Sequence, residues 1–377
     1  MALPVYTYAI ADLRTNTLLE EVPLSGVRFN KPLNSSGRFS GTWKLDERST
    51  YLDPYDLTMP TRRVIYAFRD ARPMWGGLIW SRAYNSAEDT VEIGAGEWWS
   101  YFDHRKVLPV LPVNPDLTTV AGLSTAYDNV DQNEIARRLV VLAQQHAGGD
   151  IGIEFDDSVS NFVRDRTYQG YDLTDVGEAL RNLTNVEGGP DMVFDVIPAP
   201  SGIGAPRRIL RIGTPWLGQQ GSSHVWEIGG NAIRYTWPTD GTRMATRAYA
   251  TGEGVDLGTP IAVAEQPERY DQGFPLLELE TNYSGAETEA TLAGHAEADQ
   301  QAARMPVVLP TIEVRGDIPP TAAEVNRGDD GWLVIAPDRF HRNGFEGPVR
   351  VIDMDFAPSA DAERVTLTLA PLLDGVA

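Results

Sequence analysis

The chain has 377 residues, of which 42% are apolar and 9% aromatic, and its 53 acidic and 32 basic side chains give a net charge of −21. This length exceeds what one hydrophobic core usually supports, so two to four domains are expected. The acidity argues against a nucleic-acid-binding surface and against adhesion to anionic membranes. The absence of cysteine excludes disulfides, thiolate metal sites and a cysteine nucleophile.

The first hundred residues read as short strands separated by turns. Apolar and polar residues alternate with period two, and Gly-, Asn- and Ser-rich turns recur about every ten residues. This spacing is typical of a β-sandwich or a β-barrel. The predicted strands lie at residues 5–11, 18–24, 27–33, 38–45, 63–69, 73–80 and 90–95.

Two helices are predicted next. The first begins at Asp131, where Asp-Gln-Asn-Glu has the form of a capping box, and ends at Gly148-Gly149. The second runs from Asp175 to Val186. Strand patterns then return at residues 192–197, 208–212 and 232–237.

The last third combines one helix with further strands. An alanine-rich helix is predicted over 286–304, with its capping box at Ser284–Glu287, and strands are predicted at 332–335, 349–353 and 364–369. Residues 332–369 repeat the strand–loop–strand–strand order of residues 63–93, which suggests two copies of one β-domain. The alternative is that any two antiparallel hairpins look alike at this level.

Acidic residues are concentrated near the end of the chain. From Thr251 to Ala377 there are 23 acidic and eight basic residues, a net charge of −15, while the first 250 residues carry only −6. The plainest interpretation is an acidic surface that aids solubility. Two acidic clusters in this part of the chain are Asp329-Asp330 and Asp353-Met354-Asp355.

The motifs of common enzymes are missing. There is no His-Glu-x-x-His, no Gly-x-Ser-x-Gly and no phosphate-binding Gly-x4-Gly-Lys-Ser/Thr. The carboxylate cluster beginning at Glu154 has no spacing typical of a calcium loop, and a glycosidase pair there remains a minor alternative. We therefore predict no catalytic residues, no cofactor and no metal. An export signal and a membrane-spanning segment are also not indicated.

An aromatic-rich region could serve either packing or binding. The aromatic residues could stack on sugars, but packing in a core or at a subunit interface is the favoured interpretation. The residues are Trp75, Trp80, Trp98, Trp99, Tyr101 and Phe102.

Several segments resemble minor tail proteins of siphophages that infect actinobacteria, of the tail-tip or baseplate hub type. The resemblance lies in Pro4–Thr17, Phe29–Asn34, Trp75–Trp80 and Trp98–Arg105, and continues through the helix at 286–304 and the segments Val314–Asp317 and Asn326–Asp329.

This resemblance implies a fold and a role. The fold would be mainly β with α+β insertions: two tail-tube-like β-barrels plus smaller helical or mixed domains. The expected divisions are 1–105 for the main part of the first barrel, 106–190 for an α/β insertion, 191–250 for strands completing the first half, and 251–377 for the second barrel with its inserted helix.

The implied function is that of a structural hub in the virion, made in the host cytoplasm. It would be a homotrimer that joins the tail tube to the tip and lines the channel through which DNA passes without specific binding. The candidates for an acidic lining of this channel are Asp329, Asp330, Asp353 and Asp355. Its partners would be distal tail or tail tube proteins, other minor proteins of the tip and a tape measure protein. A receptor- or glycan-binding tip module and a cell-wall hydrolase are the alternatives.

Overall fold

A computed structural model describes residues 3–186, 188–202, 204–221, 224–252, 254, 256–283, 289–359 and 363–372. β-strands predominate. The chain divides into two compact units: Met1–Tyr235 with Thr311–Ala377, and Thr236–Pro310. Among the described residues, no helix has both the length and the apolar character needed to cross a membrane.

Seven strands form the first half of a large sheet, in the order β2-β1-β5-β6-β7-β4-β3. They confirm the predicted strands because alternate side chains, such as Val27, Phe29, Phe39 and Trp43, point into the core. The elements are β1 (Tyr6–Asp12), β2 (Leu18–Glu21), β3 (Leu24–Asn30), β4 (Arg38–Lys44), α1 (Pro54–Leu57), β5 (Arg63–Arg69), β6 (Arg72–Asn85) and β7 (Thr90–Glu97).

An α/β segment follows. Its elements are α2 (Trp99–Phe102), β8 (Ser124–Asp131), α3 (Gln132–Gln145), β9 (Ile153–Phe155), β10 (Val163–Gln169), α4 (Val176–Thr184), β11 (Asp191–Ile197) and β12 (Arg207–Gly213). Asp131 caps α3 as predicted, since its side chain accepts a hydrogen bond from the backbone N–H of Asn133. The apolar residues of α3 and α4 pack on β11 and β12 in one core with α2.

The strands over 191–213 differ from their predicted place. β11 pairs with β12, and β12 pairs in parallel with β9, so these strands form a separate three-stranded sheet. These strands do not extend the sheet of the first half. The prediction missed this because a strand pattern indicates that a strand exists but not which sheet it joins.

The rest of the chain supplies eleven strands and two α-helices within the described residues. They are β13 (His224–Glu227), β14 (Ala232–Thr236), β15 (Thr239–Asp240), β16 (Arg247–Thr251), β17 (Ile261–Glu265), α5 (Glu268–Asp271), β18 (Glu278–Asn282), α6 (Glu289–Ala302), β19 (Val307–Val308), β20 (Thr311–Arg315), β21 (Asp330–Ile335), β22 (Phe345–Pro358) and β23 (Glu363–Pro371).

The second half of the large sheet repeats the strand order of the first. The first half contains the path β1-β5-β6-β7-β4-β3 and the second β13-β21-β22-β23-β20-β14. Each has a 14-residue strand with one extra residue, between Ile79 and Ser81 in β6 and between Val351 and Asp353 in β22. The order differs in two respects: β2 has no counterpart, and β13 runs parallel to β21 whereas β1 runs antiparallel to β5.

The two halves join through β3 and β22 to give one 13-stranded sheet. Among the described residues, the strand pairings do not close either half into a barrel. The structure therefore shows two open half-sheets of matching strand order and does not confirm the two expected barrels.

The second unit is a small α/β structure inserted between β14 and β20. β16 lies between antiparallel β17 and parallel β18, and α6 packs on this sheet through Leu292 and Ala296. The insertion begins near Thr236, so the predicted division at 250–251 is displaced. The predicted helix over 286–304 is found at Glu289–Ala302, and the predicted capping box at 284–287 lies outside the described residues.

Candidate assembly surfaces

The aromatic residues singled out by the sequence form core. Trp98, Trp99 and Phe102 have no exposed surface and Trp75 retains 1%, while Trp80 and Tyr101 are half-buried. The indole N–H of Trp99 donates to the carbonyl of Gly177 at 3.1 Å, whereas the buried indole N–H of Trp98 has no hydrogen-bond partner within the described residues. These buried rings pack the sheet and cannot stack on a sugar in solution.

Arg208 lies in the same core and was not indicated by the sequence. Its side chain is almost fully buried and stacks over Trp98, with the guanidinium carbon 4.5 Å from the ring centroid. It donates to the carbonyls of Leu13 and Ile151 and to the hydroxyl of Tyr66. A buried arginine bonded in this way ties β12 to the first half of the sheet.

Asp329 does not have the exposed position expected of a lining residue. It is 3% exposed and accepts hydrogen bonds from the backbone N–H groups of Gln219 and Asn326, each at 2.7 Å. His224 Nε2 lies 3.3 Å from Oδ2 of Asp329, the oxygen that also accepts from Asn326. The carboxylate therefore organises the loop before β21, and its charge is directed inward.

The other three acidic candidates are more accessible. Asp330 is half-buried and accepts a hydrogen bond from the backbone N–H of Gly221. Asp353 and Asp355 lie on β22, with Asp353 half-buried and Asp355 exposed. Burial raises the pKa of both β22 carboxyls, and the neighbouring Asp353 charge raises that of Asp355 further.

A buried ion pair connects the two halves of the sheet. Arg327, in the loop before β21, lies 3.0 Å from the carboxylate of Glu97 at the end of β7, and both are at least 96% buried. Glu97 also accepts from the N–H of Gly37, and Arg327 donates to the carbonyl of Phe194 at 2.6 Å. Burial raises the pKa of Glu97 although Arg327 favours its ionised form.

Asp195 extends this network into the α/β segment. Lys31, Arg211 and Arg327 each place a nitrogen 3.7–3.9 Å from its carboxylate. Burial opposes ionisation of Asp195, but these cations outweigh it and lower its pKa. The network, which includes Glu97, therefore joins four distant parts of the chain. Sequence patterns gave no sign of it, since charged residues beside turns usually face solvent.

Two further contacts tie β22 and β23 to the first half. Phe29 and Phe356 stack with their ring centroids 4.8 Å apart and their planes 11° from parallel. Arg69 donates two hydrogen bonds of 2.7 Å to Glu363, and the hydroxyl of Tyr6 donates to the same carboxylate.

The carboxylate cluster at Glu154 lacks features of a catalytic pair. Glu154 pairs with Arg207, which lowers its pKa, whereas a general acid needs a raised one. Within the described ranges, no three His, Asp or Glu side chains come together as metal ligands.

The first half exposes an apolar surface that the sequence analysis did not identify. A cavity of about 310 Å³ lies between α1 and the ends of β6 and β7, lined by Leu45, Pro54, Tyr55, Thr58, Arg82, Tyr84 and Val91. Tyr55 is 69% exposed and Tyr84 58%. The guanidinium carbon of Arg82 lies 3.9 Å from the centroid of the Tyr55 ring.

The chain matches no protein-family model and no curated protein by sequence. Its fold, however, is similar to those of solved tail proteins. The 43 kDa tail protein of prophage MuSo2 from Shewanella oneidensis is 12% identical, with a TM-score of 0.62 over 97% of this chain and 98% of that one.

Two other tail proteins are similar over nearly their whole length. The tail protein from Neisseria meningitidis MC58 is 12% identical, with a TM-score of 0.59 over 97% of this chain and 96% of its own. A prophage tail protein from Listeria monocytogenes EGD-e is 13% identical, with a TM-score of 0.54 over 96% and 94%. The chain therefore has the fold of these phage tail proteins.

Proposed function

We propose that this chain is a structural hub subunit of a phage tail tip, located in the virion after synthesis in the host cytoplasm. The observation that carries the proposal is the full-length similarity to tail proteins, which extends through both halves of the sheet and the insertions between them. A role in assembly also agrees with the burial of the aromatic residues that a binding module would need exposed.

The repeated strand order supports a trimer. Each chain carries two matching half-sheets, here taken as the counterparts of two tube-like barrels. Three chains would present six such modules, which matches a six-fold tail tube. The hub would then join the tube to the tip and contact distal tail or tube proteins, other minor tip proteins and the tape measure protein.

The acidic charge has a role in such a ring. A channel lined by carboxylates repels DNA phosphates, so DNA passes without binding. The net charge of −21 supplies this repulsion, and Asp330, Asp353 and Asp355 remain the candidates for the lining. Asp329 is no longer a candidate, because its carboxylate is buried.

Native mass measurement of the purified chain tests the trimer. We expect an assembly of three 41.4 kDa chains across the micromolar range, with no retention of double-stranded DNA at low salt. A strict monomer over that range would contradict the hub. DNA retention that weakens with salt would contradict the acidic channel.

A further inference from the structure

A polar cavity lies beside the buried ion network, within the unit formed by Met1–Tyr235 and Thr311–Ala377. It borders the end of β3, the strands β11 and β12, and the loops that precede β13 and β21. Its volume is about 330 Å³, far more than the roughly 10–15 Å³ that one water molecule needs. The cavity therefore has room for a small polar ligand.

The ammonium group of Lys31 lines this cavity without a hydrogen-bond acceptor. Lys31 is only 8% exposed, and its backbone is held in place because its N–H donates to the carbonyl of Met354 at 2.9 Å. Its Nζ lies 3.8 Å from Oδ1 of Asp195, which is longer than a hydrogen bond, and no other described residue accepts from it. Burial lowers the pKa of Lys31, since three N–H donors are taken from water with nothing in the described chain to accept them.

Arg211 adds further unused donors on the other side of Asp195. Its Nε lies 3.7 Å from Oδ2 of Asp195, and among the described residues its guanidinium has no hydrogen-bond acceptor. Arg327, by contrast, is neutralised by Glu97. Two cations therefore face the single carboxylate of Asp195. The result is a local excess of one positive charge in a chain whose net charge is −21.

Two further acidic residues restrict what the cavity can bind. Glu324 accepts hydrogen bonds from the backbone N–H and the hydroxyl of Thr321, and Asp329 is the buried carboxylate described above. Together with Asp195, they repel an anion that only accepts hydrogen bonds. An anion that also carries an O–H group can donate it to a carboxylate while its other oxygens accept from Lys31 and Arg211.

We propose that this cavity is a binding site for inorganic phosphate, whose oxygens accept from Lys31 and Arg211 and whose P–OH group donates to Asp195. Near neutral pH phosphate keeps at least one proton, so it is both acceptor and donor, whereas sulfate keeps none. The bound ion fills the gaps on both sides of Asp195 and links the end of β3 to β11 and β12. This site belongs to the single chain, so it does not depend on the proposed hub or on its trimer.

Titration calorimetry of the purified chain at pH 7 and constant ionic strength tests the ligand. We expect one phosphate per chain, with sulfate bound at least about tenfold more weakly because it has no O–H to donate. No phosphate binding, or equal binding of the two ions, would overturn the inference. Adenosine 5′-monophosphate carries the same group on a nucleoside, and if it binds as tightly as phosphate, the free ion is not the ligand.

Lys31→Met keeps the length of the side chain and removes its charge. It should weaken phosphate binding at least about tenfold, because a charge-assisted hydrogen bond is lost. Lys44→Met, at an exposed lysine of β4, should leave binding unchanged. Phosphate should also raise the thermal midpoint of wild type and of Lys44→Met, but not that of Lys31→Met, and the same scans show that the variants are folded. Unchanged phosphate binding in Lys31→Met would mean that the ion binds elsewhere.

Asp195→Asn gives a measurement that does not depend on the folding of the Lys31 variant. An amide can donate to an oxyanion that has no proton, so sulfate should bind this variant about as tightly as phosphate does. Asp157→Asn, at an exposed aspartate, should keep the preference for phosphate. If Asp195→Asn also keeps that preference, the proton of the ion is not donated to Asp195 and the proposed site is wrong. These results are the same whether the chain is a monomer or a trimer.

Discussion

Phe29 and Phe356 are 327 residues apart in the chain, and their rings stack in parallel at the point where β3 meets β22. Both side chains are at least 98% buried. The pairing between β3 and β22 is short and consists of two residue pairs, Asn30 with Asp355 and Phe29 with Phe356. The stacked rings therefore contribute much of the packing that makes the two half-sheets continuous.

Replacing Phe356 by alanine should lower the free energy of unfolding by about 3–5 kcal/mol, because it leaves a cavity in the joint. Chemical denaturation followed by tryptophan fluorescence measures this loss. Phe340→Ala is the matched control, since Phe340 is 69% exposed and should change stability little. Equal effects of the two substitutions would show that the joint does not depend on the stacked rings.

Arg327→Ala should cost about 3–5 kcal/mol, because it leaves the Glu97 carboxylate buried without its ion partner. The double variant Arg327→Met with Glu97→Gln removes both charges and should recover part of that loss. Arg339→Ala, at an exposed arginine, serves as the control. If the double variant is less stable than Arg327→Ala, the pair is not the source of the effect.

Asp355→Asn should raise the thermal midpoint slightly at pH 7. Burial and the charge of Asp353 raise the pKa of Asp355 above its usual 3.8, so the folded state binds the proton more readily than the unfolded state. The ionised form therefore opposes folding above that pKa, and removing it helps there. The gain should shrink as the pH falls through the pKa of the folded state and should be almost gone at about pH 3, where Asp355 is protonated in both states. A gain that is the same at pH 3.5 and pH 7 would exclude this electrostatic origin.

Gly76→Ala should destabilise the first half by about 1–3 kcal/mol through overpacking. A Cβ at this position of β6 would lie 2.7 Å from both the ring of Tyr66 and a methyl group of Val196. Gly294→Ala offers the opposite case: it lies in α6 with open space around the added carbon and should stabilise that helix by about 0.5–1 kcal/mol. Differential scanning calorimetry distinguishes the two directions.

Local structure was predictable where periodicity is strong. The alternation around Phe39 and Trp43 predicted β4, and the capping residue Asp131 predicted the start of α3. The echo between residues 63–93 and 332–369 predicted two strand sets that follow the same order, β5-β6-β7 and β21-β22-β23. These features depend on neighbouring residues, which the sequence shows directly.

Long-range contacts were not predictable in the same way. Asp329 was expected at a surface, yet it is buried, because backbone N–H groups from two loops converge on it. Arg327 and Glu97 meet across 230 positions, and each on its own resembles an ordinary surface charge. Nothing in a strand pattern records which distant strand or loop will lie opposite.

The insertion between β14 and β20 begins and ends in two short strands, β15 and β19, that pair with each other. Thr239 and Asp240 of β15 lie opposite Val308 and Val307 of β19, so the two ends of the inserted unit are held side by side. A segment anchored in this way can lengthen, shrink or be exchanged without shifting the register of the strands outside it. The segment between these two strands is therefore a site at which a foreign domain with adjacent termini could replace the natural insertion.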